Sequence, residues 1–192
     1  MRASITDSHE GMTVGVEPWT QPSRYKQKFP KKTPLMGGVV AVQVSFRNDS
    51  DQSIKVDLQR IRLLVQISED SRQELNALSA EEVADAVLLK NNGKDPTAKR
   101  VPLPIPIPST GVKTQRDAKW SDFRDTCQNA AVPSNVVAAH STVEGLLYFD
   151  LRGEVELVQS SRLYVPNLVT MTDHQPLSYF DIDLGHASSS AQ

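Results

Sequence analysis

The sequence predicts a mainly β protein: an antiparallel β-sandwich carrying one helical and proline-rich insertion. Three observations predict it. Apolar side chains recur at every second residue through 40–46, 54–67 and 178–184, the period of half-buried strands. About seven such short segments, separated by turns, suit a sandwich better than a parallel sheet with alternating helices. Two helical patterns are adjacent and fall between two groups of strands, which reads as one insertion, about 76–131, rather than a second domain.

The chain has 192 residues, enough for a single domain over 1–192 with its own core. A hydrophobic fraction of 39% is low for a compact domain, so part of the chain should be loop or tail. Residues 1–11 and 186–192 are expected to be flexible tails. With 21 Lys and Arg against 23 Asp and Glu, no global charge points to nucleic acid. No apolar run is long enough for a membrane helix, and MRASITDSHEGM has no apolar signal region. Cys127 is the single cysteine, which excludes an intrachain disulfide, a CxxC motif and a multi-cysteine metal site.

In chain order, Met12–Val16 alternate weakly and read as a first edge strand. Pro18, Pro22, Pro30 and Pro34 then mark an irregular stretch. Within it lie Arg24, Lys26, Lys28, Lys31 and Lys32, with Trp19, Tyr25 and Phe29 interleaved. Val39–Arg47 is a strand with Val40, Val42, Val44 and Phe46 on its apolar side. Asn48-Asp49-Ser50-Asp51 is a turn, because these side chains bond to nearby backbone. Ile54–Leu58 and Ile61–Ile67 resume alternation and read as consecutive antiparallel strands.

The period then changes. Ser79-Ala80-Glu81-Glu82 is a capping box opening a helix over about 79–90, with Asn91-Asn92-Gly93 as its stop. In 101–108, Pro alternates with Leu103, Ile105 and Ile107; proline lacks the ladder donor, so an extended or polyproline arm is expected. A second helix over about 115–130 places Trp120, Phe123, Cys127 and Ala131 on one stripe. Strand character returns at 143–151, at 161–172 with Pro166 as an interruption, and at 178–184.

Two stretches carry a resemblance. GGVVAVQVSFRNDSDQSIKV (37–56) is a strand ending in a polar turn before a second apolar strand. TVEGLLYFDL (142–151) has a Gly-led strand and is followed by LYVPNLV and LSYFDIDL. Together they resemble immunoglobulin-like domains of the telokin-like and late-embryogenesis-abundant types found in bacterial envelope proteins and lipoproteins. The resemblance covers about half of the chain and implies an immunoglobulin-like fold and a cell-envelope setting, with a cytoplasmic setting as the alternative. It implies proximity to a membrane only through an N-terminal anchor beyond this chain, and it transfers no functional residue.

The candidate chemistry is sparse. Cys127 with His140 as base would be a nucleophile pair, but Cys127 on an apolar stripe reads better as a core residue. His9, His140, His174 and His186 have no metal-ligand spacing. Asp150, Asp181 and Asp183 read as outward strand acids, and 48–51 lacks the glycine and distal glutamate of a calcium loop. There is no phosphate-binding glycine motif. No catalytic residue, cofactor or metal is expected.

Two segments could meet a partner. Leu103, Ile105 and Ile107 form an extended apolar arm suited to docking on a protein. Arg24, Lys26, Lys28, Lys31 and Lys32 could meet an anionic surface, although a solvated linker explains them as well. The expectation is therefore a non-catalytic envelope module that docks a protein partner through its insertion. The alternative is a ligand- or glycan-binding accessory domain, with Trp19, Trp120 and Tyr164 as stacking residues. The sequence leaves the oligomeric state open.

Overall fold

The computed structural model describes residues 5–68, 70–89 and 117–185. Its described part is β-rich, and every named strand pair in it is antiparallel. The strands are β1 (Ile5–His9), β2 (Met12–Trp19), β3 (Val39–Asn48), β4 (Ile54–Val56), β5 (Arg62–Ser68), β6 (Ser71–Asn76), β7 (Val136–Val137), β8 (Ser141–Asp150), β9 (Ser161–Val165), β10 (Leu168–Thr170) and β11 (Phe180–Asp183). The α-helices are α1 (Pro22–Tyr25), α2 (Ala80–Leu88) and α3 (Ala118–Ala130).

Three sheets form. Their strand orders are β1-β2-β3-β8, β11-β9-β5-β6 and, in a small third sheet, β10-β4-β7. The alternation in the sequence explains how they pack. Val14, Val16, Val40, Val42, Val44 and Phe46 of the first sheet join one apolar cluster with Leu63, Val65, Leu163, Val165, Phe180 and Ile182 of the second and with Ile61 just before β5. Ile54, Val56, Val137 and Leu168 of the small sheet contribute to the same cluster. Burying such faces is the main drive for the fold.

A second cluster lies on the opposite face of the first sheet. Val39, Ala41, Leu146 and Tyr148 meet Val83, Ala84 and Val87 of α2 and Trp120, Phe123 and Cys127 of α3. Trp19, Tyr25 and Phe29 complete it. The expected half-buried strand at 39–47 is thus corrected: its N-terminal part is buried on both faces, because helices cover the side expected to meet water.

Other expectations change too. Residues 5–9 are not tail but strand β1, which pairs along β2, so Met12–Val16 is not an edge. The hairpin is closed by Glu10 (φ 53°) and Gly11 (φ 78°), the paired left-handed conformation of a tight two-residue turn. Segments 54–58 and 61–67 do not pair in sequence: β4 joins the small sheet, a short 3-10 turn (Leu58–Arg60) follows, and β5 pairs with β6 and β9. Polar β6 is an edge strand that the apolar alternation did not signal. Pro166 and Asn167 (φ 57°) split 161–172 into β9 and β10, which enter different sheets.

Several expectations agree with the structure. Ser79 caps α2 in a reciprocal box: its Oγ accepts from Glu82 N at 3.2 Å, and its own N donates to Glu82 Oε2 at 2.8 Å. Trp120, Phe123 and Cys127 lie on the buried stripe of α3, which ends at Ala130, whereas the expected Ala131 is the half-buried C-cap. The turn at 48–51 is held by Asn48, whose Oδ1 accepts from Ser50 N at 3.0 Å. The helix stop at 91–93, the arm at 101–108 and the tail at 186–192 lie outside the described residues.

Candidate binding cleft

The helical layer is fixed to the sheet by polar as well as apolar contacts. Tyr25 Oη donates to the Trp19 carbonyl at 2.7 Å and accepts from Ala41 N at 2.9 Å. Tyr148 Oη donates to the Cys127 carbonyl at 2.8 Å, and Trp120 Nε1 donates to Asp85 Oδ1 at 2.8 Å. Each aromatic thus buries its body and satisfies its polar tip. The Asp85–Trp120 bond joins the last turns of α2 to the first turn of α3. Leu89 and Asp117, the described residues flanking 90–116, therefore stand at the same end of the helix pair.

The basic run divides by position. Arg24 is committed internally: its Nη2 meets Glu17 Oε2 at 2.6 Å, and its guanidinium lies 5.2 Å from the Trp19 ring centroid. Lys26 and Lys28 are exposed on the loop after α1. Lys31 and Lys32 line a cleft of about 480 Å³ between this loop and α3. Phe29, Pro30, Lys119, Asp122, Phe123 and Thr126 complete its lining. Phe29 and Phe123 are almost fully buried, with ring centroids 6.3 Å apart, so the floor is apolar and packed.

Lys119 was not singled out by the sequence reading. It is the second residue of α3, where a cation opposes the positive end of the helix dipole. Its place on the second expected helix was legible; its position in the first turn and its meeting with Lys31 and Lys32 were not. Leu103, Ile105 and Ile107 lie outside the described residues.

The other candidates fall to structural roles. Cys127 is fully buried, and burial pushes its thiol up to about 12, so it is held neutral. His140 is instead on an exposed turn, with Nε2 2.9 Å from Asp51 Oδ1. His9 stacks on Phe180 with ring centroids 3.8 Å apart. Arg162 Nε donates to Asp181 Oδ1 at 2.8 Å, and Asp150 Oδ1 accepts from Arg152 N at 2.9 Å. Among the described residues, no group of three or more His, Cys, Asp or Glu could hold a metal. Trp19 and Trp120 are 3% and 6% exposed, so neither offers a face for stacking. Tyr164 instead neighbours the exposed Tyr179, centroids 5.5 Å apart.

No family model matches the chain, and no curated protein matches it. Among solved structures, a functionally unknown protein from Listeria monocytogenes is similar at 16% identity and TM-score 0.37, over 86% of this chain and 72% of that one. A Bordetella pertussis chain described as the ApaA protein is similar at 12% identity and TM-score 0.32, over 95% and 97%. Values this low carry no argument about this chain's fold or role. Among the described residues, no helix is long and apolar enough to cross a membrane.

Proposed function

We propose that this chain is a non-catalytic interaction module of the bacterial cell envelope, an immunoglobulin-like sandwich that docks a protein partner through its insertion. The observation that carries the docking reading is the second apolar cluster. It makes α2 and α3 a rigid platform on the outer face of the first sheet. Leu89 and Asp117, which flank the segment bearing Leu103, Ile105 and Ile107, lie at one end of that platform. A partner meeting a pre-ordered platform loses less conformational freedom on binding.

The immunoglobulin-like reading is supported by the strand order. β2-β3-β8 faces β11-β9-β5-β6, and the chain crosses between layers from β3 to β5 and from β8 to β9, as in sandwiches of Greek-key type. The non-catalytic reading is supported by the burial of Cys127 while His140 is exposed, and by the structural bonds of Asp150, Asp181 and Asp183. The envelope setting rests on the resemblance at 37–56 and 142–151.

Photo-crosslinking in cells of the native host, with the crosslinker on the exposed face of α3, tests the docking. The whole chain should give a discrete protein adduct, and a chain lacking 95–112 should lose it. An unchanged adduct in the deletion would remove the insertion from the account. Fractionation of the same cells tests the setting, and recovery only with cytoplasmic markers would overturn it.

A further inference from the structure

We infer that the cleft between Phe29–Lys32 and α3 is a binding site for a small phosphomonoester with an apolar body. Its three lining lysines come from two elements nearly ninety residues apart in sequence, Lys31 and Lys32 from the loop and Lys119 from α3. Among the described residues, none of the three has an ion-pair partner. Gathering three like charges around a single acid, Asp122, is unfavourable, and Lys119 opposes the helix dipole as well. A bound anion relieves both.

Charge selects the kind of anion. Three lysines and one aspartate leave a net of two positive charges around the cleft. A phosphomonoester carries a charge of about −1.5 to −2 at neutral pH, whereas a carboxylate carries one. Lysine acts as a point-charge phosphate ligand, without the paired geometry that arginine needs. Asp122 disfavours more highly charged species such as polyphosphates.

Shape selects the rest of the molecule. The cleft volume of about 480 Å³ is in the range of small-ligand sites and far exceeds a phosphate ion. Phe29, Pro30 and Phe123, with the lysine stems, provide an apolar lining against which a flat or alkyl body can lie. The site is pre-formed, because Phe29 and Phe123 are anchored in the second cluster. It does not need the segment 95–112, so it stands or fails separately from the docking of a protein.

The test is a titration of the full chain with 1-naphthyl phosphate, followed by backbone amide NMR shifts at low salt. Saturable shifts are expected at 29–32 and 119–126 and should weaken as salt is raised. Inorganic phosphate, which lacks the body, and 1-naphthol, which lacks the charge, should each bind at least about tenfold more weakly. Replacing Lys31, Lys32 and Lys119 together by Gln should weaken binding by at least about tenfold, and Lys119→Gln alone by a smaller factor. Lys26→Gln with Lys28→Gln, just outside the cleft, should leave binding unchanged. Absence of saturation, shifts spread over the surface, or equal weakening by the Lys26 and Lys28 pair would each overturn the assignment.

Discussion

Replacing Asn48 tests how the two ends of the chain's β-rich core are joined. Asn48 ends β3 and is fully closed to solvent. Its Nδ2 donates to the carbonyls of Gln52 (2.7 Å), Val137 (3.2 Å) and Ala138 (3.1 Å). Its Oδ1 accepts from Ser50 N (3.0 Å) and Ser50 Oγ (2.7 Å). One side chain thereby ties the 48–52 turn to backbone 89 and 90 residues further on.

Asn48→Ala removes these bonds. Two amide protons and two accepted bonds amount to about four hydrogen bonds, each worth about 0.5–1.5 kcal/mol net. Ser50 and Gln52 are only half-buried, so water replaces part of the loss. The expected destabilisation is about 2–4 kcal/mol, a large share of the roughly 5–15 kcal/mol typical of a folded domain. In urea, the fluorescence midpoint should fall with an unchanged slope.

Asn48→Asp sharpens the test. It keeps the shape but sets a carboxylate against three carbonyl oxygens at neutral pH. The folded state then favours the protonated acid, so the new group's folded pKa lies above its unfolded value of about 3.9. Relative stability is therefore greatest below about pH 4 and is lost as pH rises through the folded value. The Asp deficit should shrink on acidification while the Ala deficit does not. If both variants unfold within about 0.5 kcal/mol of the parent, the bonding of Asn48 does not hold the turn to β7 and β8.

Further outcomes follow from other contacts. At Gly145, an added Cβ would stand 2.5 Å from Val132 Cα and N and 2.6 Å from the Ala131 carbonyl carbon. Gly145→Ala should therefore cost about 2–3 kcal/mol, lowering the calorimetric midpoint, and a neutral result would mean that strand β8 and 131–132 lie apart. Cys127 should resist a colorimetric disulfide reagent in the folded protein and react at once in denaturant; immediate native labelling would refute its burial. Its thiol has a folded pKa of about 12 against about 8.5 unfolded, so this group's stability contribution holds below about pH 8.5 and declines as pH rises toward 12. Burial also raises the Tyr25 and Tyr148 hydroxyls, which adds to alkaline destabilisation measurable by circular dichroism. Ser79→Ala should cost about 1 kcal/mol in urea by breaking the capping box, and no change would show that the box is not formed in solution.

The strands that the sequence disclosed are those whose alternate residues enter one core. Val40 to Phe46 and Phe180 to Ile182 are such runs, and they pack as expected. β1 and β6 escaped because their stability comes from ladder pairing to a neighbour rather than from apolar residues of their own: ITDSH and SRQELN expose most of their side chains. The destination of β4 was equally hidden, since period two marks a strand but not the sheet it joins. Capping was legible at Ser79 because it is local. The lysine cleft was not, because Lys119 approaches Lys31 and Lys32 only after α3 has packed over the loop. Ala41, a small residue on the expected wet side, gave no sign that helices cover it.

Val39, Ala41, Leu146 and Tyr148 have one further consequence for anyone cutting the chain to a smaller unit. Trimming away both helices would not release a tidy minimal sandwich. It would uncover a greasy flank on β3 and on β8, the edge strand beside it, and such a fragment should clump. The shortest chain that stays dispersed in water must keep α2 and α3 in place.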